Sequence, residues 1–171
     1  MALMERLGFG ESPKTVRPAQ PDDMDILDKL GQEHDEVQDL LEKLVASDKA
    51  SERAKLLNQI KKALVPHTKA EQKIVYARLL TLKDKDAKVD GNEGFIEHEI
   101  AARTLSKLAK IRNKTSPEFT ACAKVLKELV NHHIKEEEDA VWDDVRENFS
   151  DDDRIAMNRE FEAAKKKVKV A

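Results

Sequence analysis

Apolar residues recur at steps of three and four along most of the chain, which is the spacing of one face of an α-helix. The pattern predicts a first helix over about 27–47 and a second over about 51–79, with Ser51 as the N-cap of the second. Pro66 lies inside the second pattern and has no backbone N–H. We therefore expect a kink or a new segment just before His67.

The second half of the chain begins with "KDKDAKVDGNEG", residues 83–94, whose composition predicts a loop. A third helix is predicted over about 95–108 and a fourth over about 119–149, the latter introduced by the start signal "SPE". The segment "SDDDR" then caps a shorter fifth helix. Four long helices with short loops predict an all-α fold, an antiparallel up-down four-helix bundle.

Three segments are therefore expected along the chain. Residues 1–21 hold three of the five prolines and form an irregular N-terminal lead-in. Residues 22–148 form the four-helix bundle, and residues 149–171 contain a short extra C-terminal helix.

Composition and charge support this picture and narrow the classes of function. The chain has 171 residues, of which 38% are charged and only 4% aromatic, as in helical proteins with few turn formers. The net charge is −3 with both signs interspersed, so we expect no nucleic-acid partner. No apolar run approaches the roughly 20 residues of a membrane span, and the start lacks the apolar core of a signal peptide. With a single cysteine, Cys122, and no disulfide within the chain, we expect a soluble cytoplasmic protein that does not bind membranes.

Four of the five histidines lie on the apolar face of a predicted helix, each on a different one. They are His34, His67, His98 and His133. His132 shares its helix face mainly with acidic residues, so we expect it near the surface. The other four are expected to point into the bundle.

Two glutamates share these inward faces, each four residues after a histidine: Glu71 follows His67, and Glu137 follows His133. An ionised carboxylate on an apolar face is unfavourable unless it is paired or binds a metal. An aromatic residue stands nine positions after each of these histidines, so the two halves of the chain repeat the same order. The repeat predicts that four imidazoles and two carboxylates converge in the core.

Imidazole and carboxylate ligands favour iron, manganese or zinc. Two octahedral ions offer about twelve positions, of which two bridging glutamates and four histidines would fill about eight. A bridging oxide or hydroxide would take about two more, which leaves about two for water, dioxygen or another small molecule. We expect a dinuclear metal centre with Tyr76, Phe95 and Trp142 close to it.

Three other kinds of functional site fit this sequence less well. The Glu-x-x-His motif of ferritin-like di-iron bundles is absent, because no histidine has a glutamate three residues before it. His98 and Glu99 are followed by Ala102 where an HExxH zinc protease has its second histidine. Cys122 on an apolar face is typical of core packing rather than of a nucleophile. A helical scaffold whose buried polar groups merely satisfy one another stays open as a non-metal alternative.

Four segments, "QEHDEV", "PHTKAEQKIVY", "IEHEIA" and "HHIKEEEDAVW", resemble the signature segments of the hemerythrin-like, or HHE cation-binding, domain family. The resemblance covers roughly residues 22–148. It implies a four-helix bundle with two non-haem iron ions, oxo- or hydroxo-bridged, for which manganese or zinc could substitute. The implied metal ligands are His34, His67, His98 and His133, with Glu71 and Glu137 as bridging carboxylates.

The family resemblance implies several roles, and the residues leave the choice open. The first hypothesis is a di-iron protein that binds or reacts with dioxygen or a related small oxidant. The alternatives are iron sensing or storage without catalysis, and protection of iron centres from nitric oxide or peroxide. Oxygen-carrying hemerythrins have a second histidine one turn after the third-helix ligand, where this chain has Ala102. The sequence does not identify a protein partner.

Overall fold

The computed structural model describes residues 23–170, so the predicted irregular segment 1–21 lies outside the described residues. Within them the fold is all-α, as predicted, and contains no strand. The helices are α1 (Ile26–Ala46), α2 (Ala50–Glu71), α3 (Ala77–Leu79), α4 (Lys85–Lys110), α5 (Pro117–Glu136), α6 (Trp142–Asn148) and α7 (Asp151–Lys165). Two π-helical turns, Gln72–Tyr76 and Glu137–Val141, join α2 to α3 and α5 to α6 without a break. None of the described helices is long and apolar enough to cross a bilayer.

The long helices pack antiparallel in a closed ring. Helix α1 lies against α2 and α5, and α4 lies against α5, α2 and the first π turn. Helix α7 is added on the outside, where it contacts α1, α2 and the first π turn. The division of the chain into a bundle of residues 22–148 and a separate C-terminal segment of residues 149–171 stays a prediction.

Side-chain caps fix where most of the helices begin. Asp25 accepts a hydrogen bond from the backbone of α1, and Asp84 does the same for α4. Ser116 caps α5, with Pro117 at its first position, and Ser150 forms a reciprocal capping box with Asp153 at the start of α7. The two start signals predicted from "SPE" and "SDDDR" are confirmed.

The predicted start of the second helix is wrong, and no new segment begins at Pro66. Helix α2 begins at Ala50, so Ser51 lies inside the helix and does not cap it. The helix also continues through Pro66 to Glu71. A proline removes only one helical hydrogen bond, and packing of α2 against α1 and α7 keeps the remaining turns in place. The departure from α-helical geometry comes later, in the π turn that follows Glu71.

The predicted loop over 83–94 is also wrong, because α4 begins at Lys85 and includes both of its glycines. These glycines provide space. A Cβ on Gly94 would lie 2.5 Å from Cζ of Tyr76, and one on Gly91 would lie 3.3 Å from Cβ of Leu79. Glycine is unfavourable in a helix interior but permits close approach, and here it lets the tyrosine ring pass against α4. The two glycines made the composition resemble that of a loop. The structure shows instead that they leave room for side chains from the preceding helical segment.

The hydrophobic core is divided into two clusters with a polar layer between them. One cluster is centred on Leu41, Leu108 and Phe119, and the other on Tyr76 and Phe161. The four inward histidines and the two glutamates lie along the helices between these clusters, and all six are buried. The fold therefore holds a compact polar site in the middle of the bundle.

Replacement of Gly94 by alanine tests the tight packing of Tyr76. Gly→Ala at an unobstructed helix position stabilises by roughly 0.5–1 kcal/mol. Here the added methyl group meets the tyrosine ring, and overpacking of this kind typically destabilises by about 1–3 kcal/mol. We expect Gly94→Ala to lower the free energy of unfolding, measured by urea denaturation. Gly91→Ala, whose closest contact is longer, should have a smaller effect, and a stabilised Gly94→Ala variant would contradict the packing described.

Candidate metal centre

The structure brings all six predicted site residues together in the polar layer. Each histidine comes from a different long helix, and the two glutamates lie where α2 and α5 pass into their π turns. The exposed fractions do not exceed 8% for any of His34, His67, Glu71, His98, His133 and Glu137. His132, in contrast, has a side chain that is 61% exposed, as predicted. Helical periodicity was sufficient to separate the inward histidine from its neighbour.

Glu71 lies between the two halves of the site. Its Oε2 atom is 3.3 Å from Nε2 of His67 and 3.3 Å from Nε2 of His98. These two histidines belong to α2 and α4. One carboxylate therefore faces one imidazole from each half.

Glu137 has the equivalent position on the opposite side. Its Oε2 atom lies 3.3 Å from Nε2 of His34 and 3.6 Å from Nε2 of His133. The ligand-type atoms of His34, His67 and Glu71 lie within 4.8 Å of one another, and so do those of Glu71, His98 and His133. Two groups that share a carboxylate are the arrangement expected for two metal ions bridged by carboxylates.

Several buried polar atoms at the centre have no hydrogen-bond partner among the described residues. They are Nε2 of His34, both carboxylate oxygens of Glu71, and Oε2 of Glu137. Buried polar atoms nearly always form hydrogen bonds, and one that forms none calls for a bound water, a bound ion or a functional explanation. These atoms point towards the shared centre, so the donor set fits a metal and is poorly explained by a scaffold of mutually satisfied side chains.

Three glutamates that the sequence analysis did not assign hold the histidines from behind. Nδ1 of His67 donates to Glu33 (3.1 Å), and Nδ1 of His133 donates to Glu97 (2.7 Å). Nδ1 of His34 donates to Glu138 at 2.9 Å. A carboxylate on the far ring nitrogen fixes the tautomer and leaves Nε2 free to bind a metal.

Two of these three glutamates could have been found from the sequence. Glu33 and Glu97 each directly precede an inward histidine, so "EH" occurs once in each half of the chain. Each reaches the histidine of the next helix, not its own neighbour: Glu33 lies on α1 and contacts His67, and Glu97 lies on α4 and contacts His133. The internal repeat therefore extends to the residues that orient the ligands.

The buried charges change the pKa values of the site. Burial opposes ionisation of Glu33, but hydrogen bonds with His67 and Lys165 lower its pKa to about 2. Burial favours neutral His67, but the charge of Glu71 and the hydrogen bond to Glu33 raise the pKa of His67 to about 10. Burial together with the charge of Glu71 raises the pKa of Glu137. The pair of glutamates thus needs positive charge beside it, which protons on the histidines or bound cations can supply.

Aromatic rings close the site towards one end of the bundle. The Tyr76 hydroxyl donates to Oε1 of Glu137 at 3.1 Å and lies 3.5 Å from Nε2 of His133. The Trp142 ring is stacked on His34, with centroids 6.1 Å apart and an interplanar angle of 16°. Phe95 packs against Tyr76 with ring centroids 5.7 Å apart. Tyr76 and Trp142 contact site residues directly, as expected, whereas Phe95 acts through Tyr76.

The family model of the hemerythrin HHE cation-binding domain matches residues 25–142. The chain belongs to the hemerythrin family. The match spans all four histidine-bearing helices and both glutamates of this hemerythrin domain, and it ends before α7. It establishes a cation-binding domain, and the buried histidine and glutamate clusters are compatible with a metal site in it.

Comparison with curated proteins adds one relative. This hemerythrin domain is 28% identical over 146 residues to a protein named DNA nickase from Nostoc sp. (strain PCC 7120 / SAG 25.82 / UTEX 2576). The alignment covers 85% of this chain but only 40% of that protein, so the chain spans less than half of the relative's length. No solved structure matches the chain significantly.

Replacement of Glu33 tests how strongly the glutamates behind the histidines support metal binding. Loss of such a partner typically weakens metal affinity by about 10–100-fold. We expect this for zinc binding by Glu33→Gln, because the neutral amide no longer increases the basicity of His67. Competition with a chromophoric chelator measures it. Glu36→Gln, an exposed change on the same helix, should bind like the parent, and equal affinity of all three proteins would contradict the role of Glu33.

Proposed function

We propose that this chain is a hemerythrin-like, non-haem di-iron protein that binds or reacts with dioxygen or a related small oxidant. One observation carries the proposal: two carboxylates and four imidazoles from four helices converge, and several of their inward-facing atoms lack a hydrogen-bond partner. Manganese and zinc suit the same ligands and are the expected substitutes. Iron, when bound, would supply the electrons that such an oxidant requires.

The proposal gives each of the six residues a role. His34 and His67 would hold one ion, and His98 and His133 the other. Glu71 and Glu137 would bridge the two ions, because each faces histidines from both halves. The glutamates behind the histidines keep the rings oriented while no ligand is bound.

Tyr76 has a separate role in the proposal. Its hydroxyl is buried, donates to Glu137, and lies beside His133. Burial and the charge of Glu137 raise the pKa of Tyr76 well above its usual value, so the phenol keeps its proton. It orients one of the two carboxylates that would bridge the ions.

Metal content after reconstitution tests the proposal directly. We expect the anaerobically purified parent to take up two ferrous ions per chain and to develop near-ultraviolet charge-transfer absorption after exposure to air. His67→Ala and Glu71→Ala remove central ligands, so their iron content should fall below half of the parent value. His132→Ala changes an exposed histidine and should retain two ions. Background iron in the parent, or unchanged iron in both ligand variants, would refute the site.

The sensing or storage alternative uses the same ligands and differs in reactivity. It predicts that iron raises the melting temperature, because a ligand that binds only the native state stabilises it. It also predicts no turnover of peroxide or nitric oxide by the iron-loaded protein. The same reconstituted sample therefore separates the two functions.

Cleavage of DNA is a second candidate function. It is favoured by the similarity to a relative named DNA nickase, and it opposes the expectation of no nucleic-acid partner drawn from charge. Two bridged metal ions are a recurrent arrangement in nucleases, where they stabilise the attacking and leaving oxygens. The relative is more than twice as long as this chain, and its name describes a protein of which the alignment covers 40%.

Supercoiled plasmid tests the DNA-cleavage candidate. If the buried centre cuts DNA, the iron- or manganese-loaded parent should convert plasmid to the open circular form, and Glu71→Ala should not. If the protein only handles oxidants, plasmid should stay supercoiled in the absence of oxygen. Nicking that persists in Glu71→Ala would point to a contaminant or to another site.

A further inference from the structure

Two surface pockets reach the buried centre, one from each half of the bundle. The first has a volume of about 580 Å³ and ends at His67. The second has a volume of about 250 Å³ and ends at His133, Glu137 and Tyr76. The centre can therefore be approached from two sides.

The two pockets differ in charge. Three lysines (Lys29, Lys62 and Lys165) and two glutamates (Glu33 and Glu36) line the first pocket. The residues that line the second include six carboxylates and, within the described part of the chain, no lysine or arginine. They are Asp90, Glu93, Glu97, Glu136, Glu137 and Asp139. A cleft lined by one sign of charge raises the local concentration of the opposite ion.

At the mouth of the second pocket, three ligand-type side chains already lie together. Nε2 of His132 is 3.6 Å from Oε1 of Glu97 and 3.3 Å from Oε1 of Glu136, and the three ligand atoms lie within 4.8 Å of one another. The side chain of His132 is 61% exposed, that of Glu136 44% and that of Glu97 18%. Imidazole and carboxylate are the ligands expected for the same metals that suit the buried centre.

Glu97 connects this mouth to the interior. Its Oε2 atom accepts a hydrogen bond from Nδ1 of His133, while its Oε1 atom faces His132. At the inner end of the pocket lies Glu137, which is 1% exposed and whose Oε2 atom has no hydrogen-bond partner within residues 23–170. A cation that enters the pocket thus meets the partly buried carboxylate of Glu97 first and the fully buried carboxylate of Glu137 afterwards.

The equivalent position in the other half is occupied by lysine. Glu33, the counterpart of Glu97, contacts His67 with one oxygen and forms ion pairs with Lys29 and Lys165 through the other. Glu97 has His132 and Glu136 in place of these lysines. Both halves of the chain therefore have this carboxylate. Lysine ammonium groups neutralise it in the first half, whereas in the second half its neighbours are side chains that can bind a cation.

We propose that Glu97, His132 and Glu136 form a transit site for a divalent cation, through which metal passes into the second pocket and reaches the buried centre. This inference rests on the proposed function, because a route for metal requires a metal centre at its end. Three protein ligands at a largely exposed mouth leave positions for water. Binding there should therefore be weak, as transfer inward requires.

The rate of metal uptake tests the transit site. We expect His132→Ala/Glu136→Gln to load ferrous ion about tenfold more slowly than the parent, because the local cation concentration at the mouth falls. The final content should remain two ions per chain, since neither residue belongs to the buried centre. Stopped-flow mixing of apo-protein with ferrous ion under anaerobic conditions measures the rate, and metal analysis measures the end point.

Glu128→Gln provides the matched control. This glutamate lies one turn before His132 on the same helix, is 74% exposed, and does not line the pocket. It removes the same charge and should load at the parent rate. A double variant that loads as fast as the parent would overturn the transit site while leaving the metal centre in place. A double variant with a lower final content would also overturn it, because the residues would then bind resident metal. A parent that binds no metal would overturn both proposals.

A direct measurement uses protein whose buried centre has been filled with zinc. Manganese added to this sample should broaden the ring resonances of His132 in the NMR spectrum, because a paramagnetic ion bound at the mouth relaxes nearby nuclei. Glu136→Gln should need a higher manganese concentration for the same broadening. Equal broadening in the parent and in Glu136→Gln would contradict a site that uses this carboxylate.

Discussion

Burial of two glutamates among four histidines in the middle of the bundle is the constraint on which the rest of the structure depends. A buried ion that is not compensated is unfavourable by several kcal/mol, so Glu71 and Glu137 need positive charge or metal beside them. Each faces imidazoles from both halves of the chain. The four helices are therefore tied at one central layer by polar contacts, and the apolar clusters on either side fix their packing. Displacement of any one helix would leave a buried charge without its partners.

The π turns explain how aromatic residues reach this layer. In a regular α-helix each residue advances by about 100°, so a position nine residues after a histidine would point to the opposite face. One extra residue in a π turn moves the later side chains back by about 100°, which brings that position towards the face of the histidine. Tyr76 and Trp142 follow their histidines by nine residues, and each stands at the end of a π turn or directly after it. The hydrogen bond from Tyr76 to Glu137 and the stacking of Trp142 on His34 depend on this change of register.

Sequence periodicity was sufficient for the bundle and for the convergence of the six site residues, because both follow from which positions share a helix face. It failed where the cause lies on another helix. Gly94 was assigned to a loop by composition, whereas it makes room for a tyrosine that α4 does not contain. Glu33 and Glu97 were overlooked because each lies beside the inward face of its own helix and contacts a histidine of the next. The π turns left no recognised signal in the pattern of apolar residues, although the aromatic residue nine positions after each histidine is consistent with them.

The incomplete symmetry of the two halves gives the extra helix a physical consequence. Each half has two inward histidines, one buried glutamate (Glu71 or Glu137) and one glutamate directly before a histidine (Glu33 or Glu97). Only one half is covered by α7. Lys165 of α7 neutralises Glu33, and Phe161 of the same helix packs its ring edge against His67. The opposite half keeps an acidic, open approach, and its excess of negative charge also appears at Asp144, where burial and the nearby Asp90 raise the pKa to about 6. Lysines beside the approach at His67 and, within the described residues, carboxylates alone beside the approach at His133 make the two approaches to one symmetric centre electrostatically different. Cations are favoured at only one of them.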